Sequence, residues 1–183
     1  MLKNSDGTMP FKEGTEFSLF SANSVPHTKK GGTSLGGKSG DTMTVRQSLE
    51  KAGFKVNQKL WHYYAKGAGH KYGLGPGSVG YGRSEDFSIN EAPISSLKKS
   101  GVLNSVKGTV PVYVLKRQAG EGRDMARSMA NYAKSNVDKD RSYLDLDSTE
   151  RGVLKYLNDN YENVVVLVNT NAAVDMGWLA DYP

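Results

Sequence analysis

The sequence predicts an α/β fold: a three-layer sandwich with a mostly parallel sheet and helices on both faces. Two observations carry this expectation. Strand-like and helix-like patterns alternate along the chain. One strand candidate, "NVVVLVN" at 163–169, is apolar almost without interruption. A strand of that kind is expected to be covered on both faces, as in a parallel sheet flanked by helices.

The elements follow in order. "EFSLF", 16–20, alternates and is β-prone, so it reads as the first strand. An irregular stretch with Pro26 and a glycine-rich run comes next. Asp41 or Thr42 can cap a helix reaching about Ala52, with Val45, Leu49 and Ala52 on one face. Gly53 suits the left-handed residue just past a helix end. "FKV", 54–56, reads as a short second strand, and "QKLWHYYAK", 58–66, as a helix. The segment 67–83, "GAGHKYGLGPGSVGYGR", is a glycine-rich loop, since each Gly weakens a regular element. Residues 94–100 read as a short helix, "VPVYVLK" at 110–116 as a strand, and 121–134 as loop and weak helix. Asp147 and Glu150 have capping-box spacing for a helix over 148–160, whose buried face holds Val153, Leu154, Leu157 and Tyr161. No internal repeat is visible.

Composition bounds the function. The 183 residues suit one domain, and 37% hydrophobic with 23% charged residues fits a folded chain rather than a disordered one. The net charge is +5. The basic residues are spread out, with short clusters at Lys29-Lys30 and Lys98-Lys99 and no groove-reading motif, so no nucleic-acid partner is expected. The longest apolar run, Val164 to Val168, is too short to cross a bilayer, so no membrane partner is expected either. The N-terminus lacks a charged-then-apolar leader pattern, which reads as a soluble chain and leans towards the cytoplasm. Cysteine is absent, and His27, His62 and His70 show no metal spacing. No metal or cofactor is expected.

Gly32-x-x-x-x-Gly37-Lys38-Ser39 spells the G-x-x-x-x-G-K-[ST] phosphate loop. Its context opposes that reading. A phosphate loop needs a strand, a tight turn and a helix N-terminus in immediate succession. Here the strand ends near Phe20, well before Gly32, and Gly40 and Asp41 push the helix start beyond the lysine. Neither later strand ends in a magnesium-binding Asp. A phosphate-loop nucleotide protein is therefore the least favoured alternative.

Four stretches, in order, carry a different resemblance: "LKNSDGTMPFKEGTEFSLFSANS" (2–24), "KGGTSLGGKSGD" (30–41), "VYVLKRQAGEGRDM" (112–125) and "LDSTERGVLKYLNDNYENVVVLVNTNAAVDMGWL" (146–179). Together they resemble the second, α/β-sandwich domain of glycoside hydrolase family 3, the β-glucosidase family. The second stretch resembles that family's "KGGTGSGDV" loop and the third its "SGEGxDR" motif. The resemblance covers nearly the full length. It implies one partial sandwich domain over 1–183, with a lead-in at 1–15 and the glycine-rich loop at 67–83. The family's sandwich continues past the part that resembles 146–179, so the resemblance also implies missing strands and an exposed sheet edge.

The resemblance further implies a retaining glycosidase, in which one carboxylate attacks the anomeric carbon and a second serves as acid and base. The two carboxyl groups then lie about 5–5.5 Å apart. The matching acid/base is Glu121. It follows a buried strand, where open α/β sheets place their sites, and Gly120 and Gly122 flank it. Read by local chemistry alone, Glu121 is a solvated loop residue paired with Arg123 or Lys116. Ala119 and Met125 stand where the motif has Ser and Arg. The resemblance places Ser39, Gly40 and Asp41, with Arg123 and Asp124, at the sugar site. By its own chemistry Asp41 is a helix cap or loop organiser. Trp61, Tyr63, Tyr64, Tyr72 and Tyr81 could stack on sugar rings or pack in core and loops. The nucleophilic Asp belongs, in the family, to a barrel domain carrying an "SDW" motif, and no SDW occurs here. The chain alone is expected to be inactive. A β-glucoside is the expected substrate, and a barrel domain the expected partner. The alternative from another class is a non-catalytic carbohydrate-binding or accessory domain.

Overall fold

The computed structural model describes residues 4, 7–25, 43–73, 89–117, 126–130, 135–170 and 173–182. Four strands form one sheet: β1 (Glu16–Phe20), β2 (Lys55–Val56), β3 (Val110–Arg117) and β4 (Val165–Thr170), in the order β2-β1-β3-β4. Every pairing is parallel. Phe20 lies opposite Tyr113, and Arg117 opposite Thr170. The α/β fold expected from the sequence is the fold observed. The helices are α1 (Val45–Lys51), α2 (Gln58–Ala65), α3 (Ile94–Ser100) and α4 (Ser148–Asn160).

The two-residue period of the strands divides the core in two. Phe17 and Leu19 of β1, with Val56 and Val112, face one layer, where Phe11 and α1 residues Val45 and Leu49 cover them. Phe20, Tyr113 and Leu115 face the other. There α2 contributes Leu60, Tyr63 and Tyr64, α3 contributes Leu97, and α4 contributes Val153, Leu154 and Leu157. Tyr161 is half-buried against this same layer. Tyr63 and Tyr64 are thus core residues, and Trp61 is half-buried beneath the Arg46 guanidinium, 4.4 Å from its ring centroid. Tyr72 packs against the larger core, while Tyr81 and His27 lie outside the described residues.

Three local expectations need correction. The helix α1 is capped by Thr44, in a capping box with Gln47, and not by Asp41 or Thr42. "TVRQ" is itself the box pattern, and the cap falls where the side chain can reach the third helical N–H. Ala52 follows the helix end and is exposed, so it does not join the buried face of Val45 and Leu49. Finally, β4 is covered on its second face only in part. Among the described residues it is an edge strand paired only with β3, and Leu167 is 37% exposed. Val166 and Val168 pack against the larger core and Val165 against the layer under α1, whereas Leu167 joins neither. An unbroken apolar run marks a parallel strand but does not say whether its outer face has a helix above it. Of the loop expectations, 67–73 is described as turns and 126–130 as irregular chain with one bridge, Ser128 to Ser142. The rest of 67–83 and of 121–134 lies outside the described residues.

Candidate active site

The carboxyl edge of a parallel sheet is where strand ends and loops converge on a ligand. Here that edge is formed by Phe20-Ser21, Arg117 and Thr170. The segments that depart from it carry the residues singled out in the sequence. Ser39, Gly40, Asp41, Glu121, Arg123 and Asp124 all lie outside the described residues. What is described is the framework from which those segments spring.

Arg117 closes β3, four positions before Glu121, and is 1% exposed. All five of its N–H donors are used. Nε donates to the Tyr143 carbonyl at 2.8 Å, and Nη1 to the Lys116 carbonyl at 2.8 Å. Nη1 and Nη2 also grip the Glu150 carboxylate side by side, at 2.8 and 2.7 Å, and Nη2 donates to the Asp145 carbonyl. The paired donors match the geometry of a carboxylate, which is what arginine does better than lysine. Despite burial, the Glu150 contact holds the guanidinium pKa above its ordinary value.

Glu150 performs two tasks. It accepts from the backbone N–H of Asp147 at 2.8 Å, while Asp147 accepts from the N–H of Glu150 at 2.7 Å. The capping box of α4 is therefore welded to the end of β3. Burial and the facing Glu150 push the Asp147 carboxyl up to about 7.

A second buried group sits below the end of β1. Glu91 is 5% exposed, and its carboxyl accepts from the Ala92 N–H at 2.6 Å and the Tyr113 hydroxyl at 3.3 Å. The Ser21 hydroxyl bonds it as well. Burial, with Glu150 and Asp147 adding repulsion, pushes Glu91 up to about 8. Ser21 itself has φ 84° and ψ 135°, a backbone region that costs a non-glycine residue roughly 1–3 kcal/mol. It is held there by bonds from Asn23 N–H and the Ser24 hydroxyl to Ser21 oxygens. The chain thus leaves β1 through a constrained corner.

The remaining expectations can be placed. The Gly32–Ser39 pattern lies outside the described residues, but α1 begins only after the extended cap at Thr44. The first described helix after Lys38 and Ser39 is thus capped five positions beyond Ser39, whereas a phosphate loop needs one that follows at once. Among the described residues, no cluster of three acidic or histidine side chains could hold a metal ion. No helix among them is long and apolar enough to cross a membrane. Arg117 and Glu91 were not singled out from the sequence. The available signals were an arginine ending a mostly apolar strand and a glutamate two positions before the proline that precedes a helix.

No family model matches the sequence. The chain is, however, 27% identical over 180 residues to a β-glucosidase of Ruminococcus albus, across 97% of its own length. The chain is similar to one part of a β-glucosidase. It spans 17% of that R. albus enzyme, so the match concerns one part of a much longer protein. The fold agrees. A β-glucosidase of Paenibacillus barengoltzii matches with a TM-score of 0.66 and 22% identity, over 98% of this chain and 18% of that one. β-Glucosidase 3B of Thermotoga neapolitana, solved with α-D-glucose, matches with a TM-score of 0.60 and 20% identity, over 99% of this chain and 24% of that one. Both likenesses are of the α/β fold.

Proposed function

We propose that this chain is the acid/base-bearing α/β domain of a retaining β-glucosidase-like glycoside hydrolase. The observation that carries the reading is the identity to a β-glucosidase along 97% of the chain. The Arg117 clamp supports it, because it fixes the carboxyl end of β3 four residues before Glu121.

In this reading residues 1–183 form one sandwich domain, with 1–15 as its lead-in. Glu121 protonates the leaving oxygen and later deprotonates the attacking water. Ser39, Gly40, Asp41, Arg123 and Asp124 line the sugar site. The nucleophilic Asp comes from a barrel domain that docks against the carboxyl edge of the sheet, bringing the two carboxyl groups to about 5–5.5 Å. A general acid must hold its proton near neutral pH, which a site enclosed between two domains favours by desolvation.

Two experiments test this. Incubated alone with an aryl β-glucoside, the chain is expected to show no turnover. Turnover abolished by Glu121→Gln would instead place both carboxylates on this chain. In the R. albus enzyme with its matched segment replaced by this one, Glu121→Gln should lower kcat/KM on an alkyl glucoside by about 10²–10⁴-fold. A dinitrophenyl glucoside, whose leaving group needs little protonation, should lose far less. Equal losses on both substrates would remove Glu121 from the acid role.

A further inference from the structure

At the other end of the sheet, the amino ends of β3 and β4 open on a cleft of about 670 Å³. One wall is the turn from Gly101 to Gly108, and the other is the end of α4 with Tyr161, Glu162 and Asn163. A second hollow of about 440 Å³ adjoins it and shares Gly101 and Asn104. The two flank Asn104, and the larger is a groove of a size ordinary for a ligand site.

The lining is chemically mixed. Among the described residues, the side chains of Asn104, Lys107 and Glu162 have no hydrogen-bond or ion-pair partner. The Asn163 carbonyl oxygen accepts from Thr8 Oγ1 at 2.8 Å, and its amide nitrogen faces no described acceptor. Tyr156 and Tyr161 are half-buried. Tyr161 is braced by an edge contact with Phe20, with ring centroids 6.4 Å apart, so it is presented rigidly. The Lys98 ammonium lies 5.7 Å from the Tyr156 ring centroid and the Tyr161 hydroxyl donates to the Val106 carbonyl at 3.5 Å, so donors, acceptors and aromatic surface stand together.

That mixture discriminates between ligand classes. An apolar ligand would strand Asn104, Lys107 and Glu162 without partners. A compact anion would be drawn by Lys98 and Lys107 but would also meet the Glu162 carboxylate and leave the tyrosine surface unused. A polyhydroxylated chain uses donors and acceptors alike and lays its C–H faces on tyrosine rings. We propose that this groove is a carbohydrate-binding site separate from the catalytic one. Seven steps along β3, from Val110 in its lining, separate it from Arg117, about 23 Å at the usual rise. A sugar held here is not the one being cleaved, so the groove would tether a glycan chain while its end is processed elsewhere. The inference stands on the groove's own chemistry and does not require Glu121 to act as an acid.

The test is a titration of the ¹⁵N-labelled chain with cellotetraose. Saturable amide shifts are expected at 101–109 and 156–163, with a Kd on the order of 1 mM, as befits a few hydrogen bonds and one stacking contact. The double variant Asn104→Ala, Lys107→Ala should weaken binding about fivefold or more without changing Tm, because both side chains are exposed. Glu121→Gln should bind as the parent does, which separates this site from the catalytic reading. Absence of shifts in those two segments, shifts unchanged in the double variant, or the same shifts produced by inorganic phosphate would each overturn the proposal.

Discussion

Single residues differ in how far they could be foreseen. Glu121 stands out in the sequence only because "AGEGRD" resembles a family motif. Its own surroundings fit a solvated loop residue equally well. Arg117 was invisible as a clamp because its carboxylate partner, Glu150, lies 33 positions away on another element. Glu91 was likewise hidden, since its contact with Tyr113 spans 22 positions. Both have measurable consequences. Arg117→Met leaves the Glu150 carboxylate buried without its partner and should cost about 3–5 kcal/mol in a urea titration. Replacing the pair together, as Arg117→Met with Glu150→Leu, should cost less than the two single changes summed, since neither charge is then left alone. Glu91 predicts a pH dependence. Its pKa is about 8 when folded against 4.5 in the open chain, so between those values the folded state keeps a proton that the unfolded state has lost. The stability Glu91 contributes is complete below pH 4.5 and is lost as pH rises through about 8. Glu91→Gln has no such proton, so its stability relative to the parent should climb across that window. The raised Asp147 acts in the same sense in both proteins and cancels in the comparison. A difference independent of pH would show that Glu91 is ionised throughout.

Elements were more legible than side-chain networks, because periodicity and caps are local. The start of α4 could be read from Asp147 and Glu150, and the pair forms the reciprocal box observed. The start of α1 was misplaced because Asp41 and Thr42 stand just before Thr44 and each could cap a helix. Thr44→Ala should therefore cost about 1 kcal/mol, read by thermal or chemical unfolding. The larger loss belongs to α4. Leu154 is 3% exposed in the main core, so Leu154→Ala should cost about 2–5 kcal/mol. The apolar run of β4 pointed to a parallel strand, which it is, but could not reveal that the strand lies at an edge. Edge position depends on which elements pair, and that is fixed by residues far away in sequence.

At the scale of the molecule, the sheet order predicts where stability is concentrated. β3 runs between β1 and β4, and its residues from Pro111 to Leu115 are all buried. It also contributes to both core layers, Val112 to one and Tyr113 and Leu115 to the other. Its amides cannot open without separating both layers, so they should exchange only through global unfolding. Among the described residues β2 pairs at two positions and β4 has one flank open, so each can loosen while the centre holds. Native-state hydrogen exchange should therefore rank β3 slowest and β1 next, with β4 and β2 faster. The Arg117→Met change should accelerate exchange at 113–117 and at the start of α4 together, because one guanidinium ties these two regions. If β4 exchanged as slowly as β3, its open flank would be paired in solution and the four-strand order would not describe the whole sheet. If Arg117→Met loosened β3 while leaving α4 untouched, the weld between strand end and helix cap would not be what positions the segment leading to Glu121.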